Sequence, residues 1–118
     1  MSRRNNSVFL VGTPASLSER TVHTQAGELL VLDLYLRTDK PEITGLHRVV
    51  VRGPQAQEVK YFLKAAEPEM PDLYVLGWLR SGGKESVVIA ERVTVLTNRH
   101  VRQTAVEAIR NDTDFVPD

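Results

Sequence analysis

The chain has no cysteine, which excludes disulfides and thiolate metal sites. It also has no net charge, because 15 lysines and arginines balance 15 aspartates and glutamates among 118 residues. A protein balanced in this way cannot hold a polyanion through a globally basic body and needs a local cluster of cations. No apolar run approaches the ~18 residues of a membrane span. The opening Met1-Ser2-Arg3-Arg4-Asn5-Asn6 is polar and lacks the apolar centre of a signal peptide, so the expectation is a soluble, cytoplasmic protein. Paired carboxylates at helical spacing, metal-ligand spacing and a phosphate-cradling glycine loop are all missing. Gly82-Gly83-Lys84 is too short for such a loop and precedes a strand. Catalysis, a metal and a cofactor are therefore not expected.

What the chain does have is strand patterning. Glu28 to Arg37 is the clearest case, with Leu30, Leu32, Leu34 and Leu36 on one face and Val31, Asp33, Tyr35 and Arg37 on the other, a period of two. Asn6 to Gly12 reads as a first strand. Thr13 to Arg20 carries Pro14 and Ser16, although Leu17 could still pair. Thr24-Gln25-Ala26-Gly27 reads as the turn of a hairpin. Thr38 to Gly45 is a polar loop, and Leu46-His47-Arg48-Val49-Val50-Val51-Arg52 is a third strand rich in branched side chains. Gly53-Pro54 stops it and opens a helix, with Ala56, Val59, Leu63 and Ala66 at helical spacing and Phe62 beside them. Glu67-Pro68-Glu69-Met70-Pro71 ends that helix. Leu73 to Arg80 and Val87 to Leu96 are the last two strands, joined by a short turn over residues 81–85. Arg99 to Arg110 forms a final helix capped by Thr97 or Asn98.

Strand, strand, strand, helix, strand, strand is the order of the OB-fold. The expected class is all-β, a five-stranded OB-fold barrel with one helix between strands three and four and a C-terminal helix. Residues 1–5 form a basic arm, 6–97 the barrel domain, and 98–118 the last helix and a short acidic end.

Several short motifs carry a family resemblance. Asn6-Ser7-Val8-Phe9-Leu10-Val11-Gly12 resembles the N-x-V-x-L-x-G first strand of the bacterial single-stranded DNA-binding proteins. Thr24-Gln25-Ala26-Gly27 resembles their T-x-x-G turn, and Leu32-Asp33-Leu34 stands where they carry F-x-L. Leu46 to Gly53 resembles W-H-x-V-V-x-x-G, Tyr61-Phe62-Leu63-Lys64 is similar to Y-L-x-K-G, and Gly77-Trp78-Leu79-Arg80-Ser81 resembles G-x-L-R-T. The matches run in register over residues 6–96. They imply an OB-fold, homodimers or homotetramers, a nucleoid location, and binding of single-stranded DNA in replication, recombination or repair. A shortened domain of this kind is also similar to primosomal replication protein N, which acts with a helicase in replication restart. The departures are specific. Leu46 replaces the Trp, Arg52 stands where an aromatic often precedes the glycine, the hairpin between strands four and five is short, and the family's long tail is missing. Asp112 to Asp118 only echoes the family's acidic tip.

Since base stacking contributes ~1–3 kcal/mol per base, these losses shift the expected binding onto arginines. Arg48 and Arg52 share a face of strand three with Leu46 and Val50, and Arg37 joins them from strand two. The expected nucleic-acid contacts are Arg37, Arg48, Arg52, Arg80, Lys84, Trp78 and Tyr35; the alternative for the arginines is surface pairing with Asp33 or Asp39. Tyr74, Leu76 and Trp78 form an apolar outer face on strand four. That face is read as a subunit or partner interface, as a seat for the C-terminal helix, or as a stacking platform. His47 falls where the family's histidine lies near a subunit contact, although on the valine face it reads as structural. The function expected is single-stranded DNA binding through a basic strand face. The alternative is an OB-fold interaction module for replication or repair proteins with little DNA affinity.

Overall fold

The computed structural model describes residues 6–40, 43–81 and 86–111 of the chain. Five strands and two helices follow one another as β1 (Val8–Thr24), β2 (Gly27–Lys40), β3 (Ile43–Arg52), α1 (Pro54–Ala66), β4 (Leu73–Arg80), β5 (Val87–Val95) and α2 (Arg99–Asn111). The strands close into a barrel in the order β1-β2-β3-β5-β4. The ladder between β3 and β5 is parallel and the others are antiparallel. Chain order and helix placement are those the sequence indicated.

β1 is much longer than its apolar alternation indicated, because it serves two partners. Val8 to Gly12 pair with β4, and from Thr13 onward the strand pairs with β2 as far as Thr24. Pro14 lies at this change of partner, and the register shifts between Pro14 and Ser16. A bulge is where a sheet tolerates proline, since the missing N–H then interrupts no regular ladder. Asn6 lengthens the other end. Its side-chain amide donates to Leu79 O at 3.2 Å and its carbonyl accepts from Leu79 N at 2.6 Å, as a backbone amide would.

The hairpin between β1 and β2 turns where expected. Thr24 Oγ1 donates to Gly27 O at 2.7 Å and accepts from Ala26 N at 3.2 Å. The polar loop expected over Thr38 to Gly45 is instead mostly strand. β2 and β3 remain paired through Thr38–Gly45, Asp39–Thr44 and Lys40–Ile43, because backbone pairing at a barrel's end does not need apolar side chains. Residues 41–42 lie outside those described.

The core follows the period-two reading. Leu32, Leu34 and Leu36 are fully buried with Val49, Val51, Leu73 and Val75, and Ala56, Val59 and Leu63 of α1 complete the same cluster. Burying each large aliphatic side chain is worth roughly 1.5–3 kcal/mol, so this alternation fixes which face of each strand turns inward. Gly12 and Gly77 also point inward, at places where strands approach closely. A Cβ on Gly12 would be driven into the carbonyl of Arg37, and one on Gly77 into that of Ile89. Gly53 ends β3 at φ 75°, a conformation that favours glycine, and its N–H reaches Leu30 O at 2.8 Å. α1 then starts with Pro54 in its first turn. α2 packs against α1, and of its two candidate caps it is Asn98 that accepts from Val101 N, at 2.9 Å.

Candidate nucleic-acid interface

Strand register arranges the outward side chains into rows. Asp33, Val50, Ile89 and Trp78 stand side by side across β2, β3, β5 and β4. One step along, Tyr35, Arg48, Val87 and Arg80 form the next row. On the other side of the first row come Arg20, Val31 and Arg52, and beyond the second come Arg37 and Leu46. Five arginines and one aspartate therefore share this wall, in a chain whose charges cancel overall.

The middle of the wall is apolar. Val31, Val50 and Ile89 are buried although they lie outside the barrel, and Val22, Leu29, Val87 and the half-buried Trp78 pack against them. Trp78 is thus separated from the exposed strip in which sequence alternation had grouped it with Tyr74 and Leu76. The physical reason is a shift of the β4–β5 register between Leu76 and Gly77, since a bulge adds local twist and turns successive side chains apart.

The arginines differ in their freedom. Arg37, Arg52 and Arg80 are exposed. Arg48 lies along the wall, because its Nε and Nη2 are 3.1 and 3.0 Å from Asp33 Oδ1. Asp33 Oδ2 accepts from Arg20 Nε at 3.0 Å. Burial pushes the Asp33 carboxyl upward, but the hydrogen bonds and charges of Arg20 and Arg48 outweigh it and hold the group below the ordinary aspartate range. Of the two readings open for Arg48, the pairing with Asp33 is the one the geometry contains. Tyr35 is half-buried on the same wall, opposite Arg48. Lys84 lies outside the described residues.

Arg20 was not among the candidate residues. It sits in the half of β1 that lacks apolar alternation. Counting back from the Thr24–Gly27 turn would have placed Val22 opposite Leu29 and Arg20 opposite Val31.

A second surface lies on β1 and β4. Phe9 faces Leu76 and Val11 faces Tyr74, and the rings of Phe9 and Tyr74 meet edge to face at 5.7 Å. All four side chains are exposed, Phe9 at 61%. α2 does not take the seat considered for it on this strip, because it packs on α1 instead. Phe9 and Val11 were legible as the outward half of the Asn6–Gly12 alternation but had not been joined to Tyr74 and Leu76. His47 belongs to neither surface. It follows the valine face toward the barrel interior, half-buried, with Nε2 3.2 Å from Thr38 Oγ1.

Comparison with solved structures gives the fold its name. The second OB-fold domain of replication protein A from Methanococcus maripaludis superposes with a TM-score of 0.57 at 14% identity, over 80% of this chain and 88% of that one. The barrel is an OB-fold. The OB-fold here is also similar to the dimeric structure of the N-terminal domain of PriB protein from Thermoanaerobacter tencongensis, with a TM-score of 0.54 and 17% identity over 80% of this chain and 100% of that one. The single-stranded DNA-binding protein from Thermus aquaticus gives a TM-score of 0.54 at 28% identity, over 83% of this chain. The match spans about half of that protein's length, 53%. No protein-family model and no curated protein matches the chain. In OB-folds generally the face of strands two and three and the loops between strands one and two and between four and five bind oligonucleotides and oligosaccharides. The arginine wall includes that face.

Proposed function

We propose that this OB-fold protein binds single-stranded DNA along the outer wall of β2, β3, β5 and β4 and acts in replication, recombination or repair at the nucleoid. The observation that carries the reading is the concentration of arginines around an apolar strip, on an OB-fold's binding face, in a chain without net charge. Phosphates contact Arg37, Arg52 and Arg80, whose planar guanidiniums suit bidentate contacts and also stack on bases. Bases lie over the strip that carries Tyr35 and Trp78, where sequence-tolerant stacking is available. With so few rings the binding is salt-sensitive and modest. The similarity to single-stranded DNA-binding proteins supports the polymer class.

The test is titration of a poly-dT oligonucleotide, followed by the fluorescence of Trp78, the chain's single tryptophan. Emission quenches on binding, and log affinity falls with log salt at about 0.7 per phosphate neutralised, giving a slope near −2 for three arginine contacts. Arg52→Ala weakens binding about five- to tenfold and makes the slope shallower by about 0.7. Failure of the wild type to bind at low salt overturns the proposal.

A second surface favours self-association. The exposed Phe9–Val11–Tyr74–Leu76 strip is the kind of contiguous apolar patch that marks a protein interface. It supports a homo-oligomer, and the dimeric PriB relative supports the same assembly. If the strip instead receives a replication or repair protein, the chain acts as an interaction module.

A further inference from the structure

Asp33 is the carboxylate on a wall whose other charged side chains, among the described residues, are arginines. Its side chain is 15% exposed, while those of Arg20 and Arg48 are 53% and 34% exposed. Each carboxylate oxygen takes a different guanidinium, Arg20 at 3.0 Å on one side and Arg48 at 3.0–3.1 Å on the other. Two anionic oxygens bridging two guanidiniums at these distances is also the arrangement by which a phosphodiester would be held. We propose that Asp33 is an internal counter-anion that occupies a phosphate position on the wall, and that it thereby sets a ceiling on affinity for a single strand. The inference rests on the DNA-binding reading of the same wall and adds a residue that limits it.

The energetic logic is local. A phosphate entering between Arg20 and Arg48 either displaces the carboxylate from both guanidiniums or lies against a like charge. Both routes cost binding free energy that the outlying Arg37, Arg52 and Arg80 do not incur. Position matters as well, because Asp33 shares its row with Trp78 and lies two residues from Tyr35 on the same strand face. A nucleic-acid strand that stacks a base on Tyr35 therefore passes beside Asp33. The carboxylate is also dispensable in shape. Asparagine has the same outline and keeps one acceptor for an arginine, yet lacks the charge that competes with phosphate.

The experiment compares wild type, Asp33→Asn, Asp33→Ser and Glu58→Gln in poly-dT titrations over a salt series, with circular dichroism to verify folding. Glu58 is an exposed residue of α1 and reports the effect of adding one unit of positive charge away from the wall. Asp33→Asn binds about tenfold more tightly than wild type at low salt, and its log–log salt slope steepens by about 0.7–1.4, corresponding to one or two further phosphates. Asp33→Ser moves in the same direction and serves alone if the asparagine variant does not fold. Glu58→Gln stays within about twofold of wild type. Asp33 variants that bind no more tightly than a binding wild type overturn the inference and leave the DNA-binding reading standing. Glu58→Gln rising as far as Asp33→Asn also overturns it, because the gain is then bulk charge. If neither wild type nor the Asp33 variants bind, both readings fall. Binding by the Asp33 variants alone supports the inference that the carboxylate blocks the wall and overturns the reading that the wild-type chain binds DNA.

Discussion

At the residue scale, the Arg20–Asp33–Arg48 ion pairs have a consequence for stability that is separate from the proposed effect on binding. Asp33 titrates below the usual aspartate value of about 3.9, because hydrogen bonds and charges from Arg20 and Arg48 overcome the upward push of burial. A carboxyl whose folded pKa is depressed contributes stability that is fully present above its unfolded value and is lost as pH falls through its folded value. The stability gap between wild type and Asp33→Asn is therefore flat from neutral pH down to about pH 5 and closes below about pH 4. Its size at neutral pH is about 1 kcal/mol, kept small by the solvent exposure of Arg20. Urea denaturation at a series of pH values measures it, and a gap that persists unchanged to pH 3 would contradict the assignment. That this aspartate faces outward, with Arg48 as a pairing option, was legible in the alternation of β2 and β3. That both of its oxygens are taken was not, because the second partner, Arg20, lies in a half-strand without an apolar signal.

At the element scale, one side chain of α1 hydrogen-bonds the backbone of β5. Gln55, in the first turn of α1, accepts from Val93 N at 2.8 Å and donates to Glu91 O at 3.3 Å. It thus holds β5 beside its register shift, the feature that turns Trp78 away from Leu76. Gln55→Ala removes both bonds and leaves the half-buried Val93 N–H without that acceptor, at a cost of about 1–2 kcal/mol. Hydrogen exchange at the Val93 amide accelerates in that variant before global unfolding does; equal rates in the two proteins would show that Gln55 does not brace the strand. Where an element's signal is local, the sequence sufficed. The leucines of β2 name their own inward face, and Ala56, Val59 and Leu63 name the buried face of α1. Where the deciding contact is distant, it did not. β1 beyond Pro14 is held by backbone pairing to β2, and Thr38 to Lys40 are ordered by pairing with Ile43 to Gly45. None of these stretches carries the apolar rhythm that reveals a strand in isolation.

At the scale of the whole molecule, the two surfaces are distinct in chemistry and place, and the proposed tasks divide between them. The arginine wall spans β2, β3, β5 and β4 and takes Arg20 from the far half of β1, whereas the Phe9–Val11–Tyr74–Leu76 strip lies on the first half of β1 and on β4 and contains no charged side chain. β4 contributes to both, through Trp78 and Arg80 on the wall and through Tyr74 and Leu76 on the strip, with the register shift between them. A charge placed in the strip is tolerated by an isolated barrel, because these side chains already face water, but it is costly in a packed interface where it is desolvated without a partner. On the proposed self-association through this strip, Leu76→Arg gives a monomer in light scattering where the wild type gives an oligomer, while leaving thermal stability of the barrel largely intact. Per-site affinity for a short poly-dT oligonucleotide changes less than about threefold, since Leu76 lies off the wall. An unchanged mass for Leu76→Arg would remove the strip as a self-association surface. A parallel loss of oligonucleotide affinity would mean that the wall is completed only in the assembly, and that the strip serves binding by setting how two walls are placed.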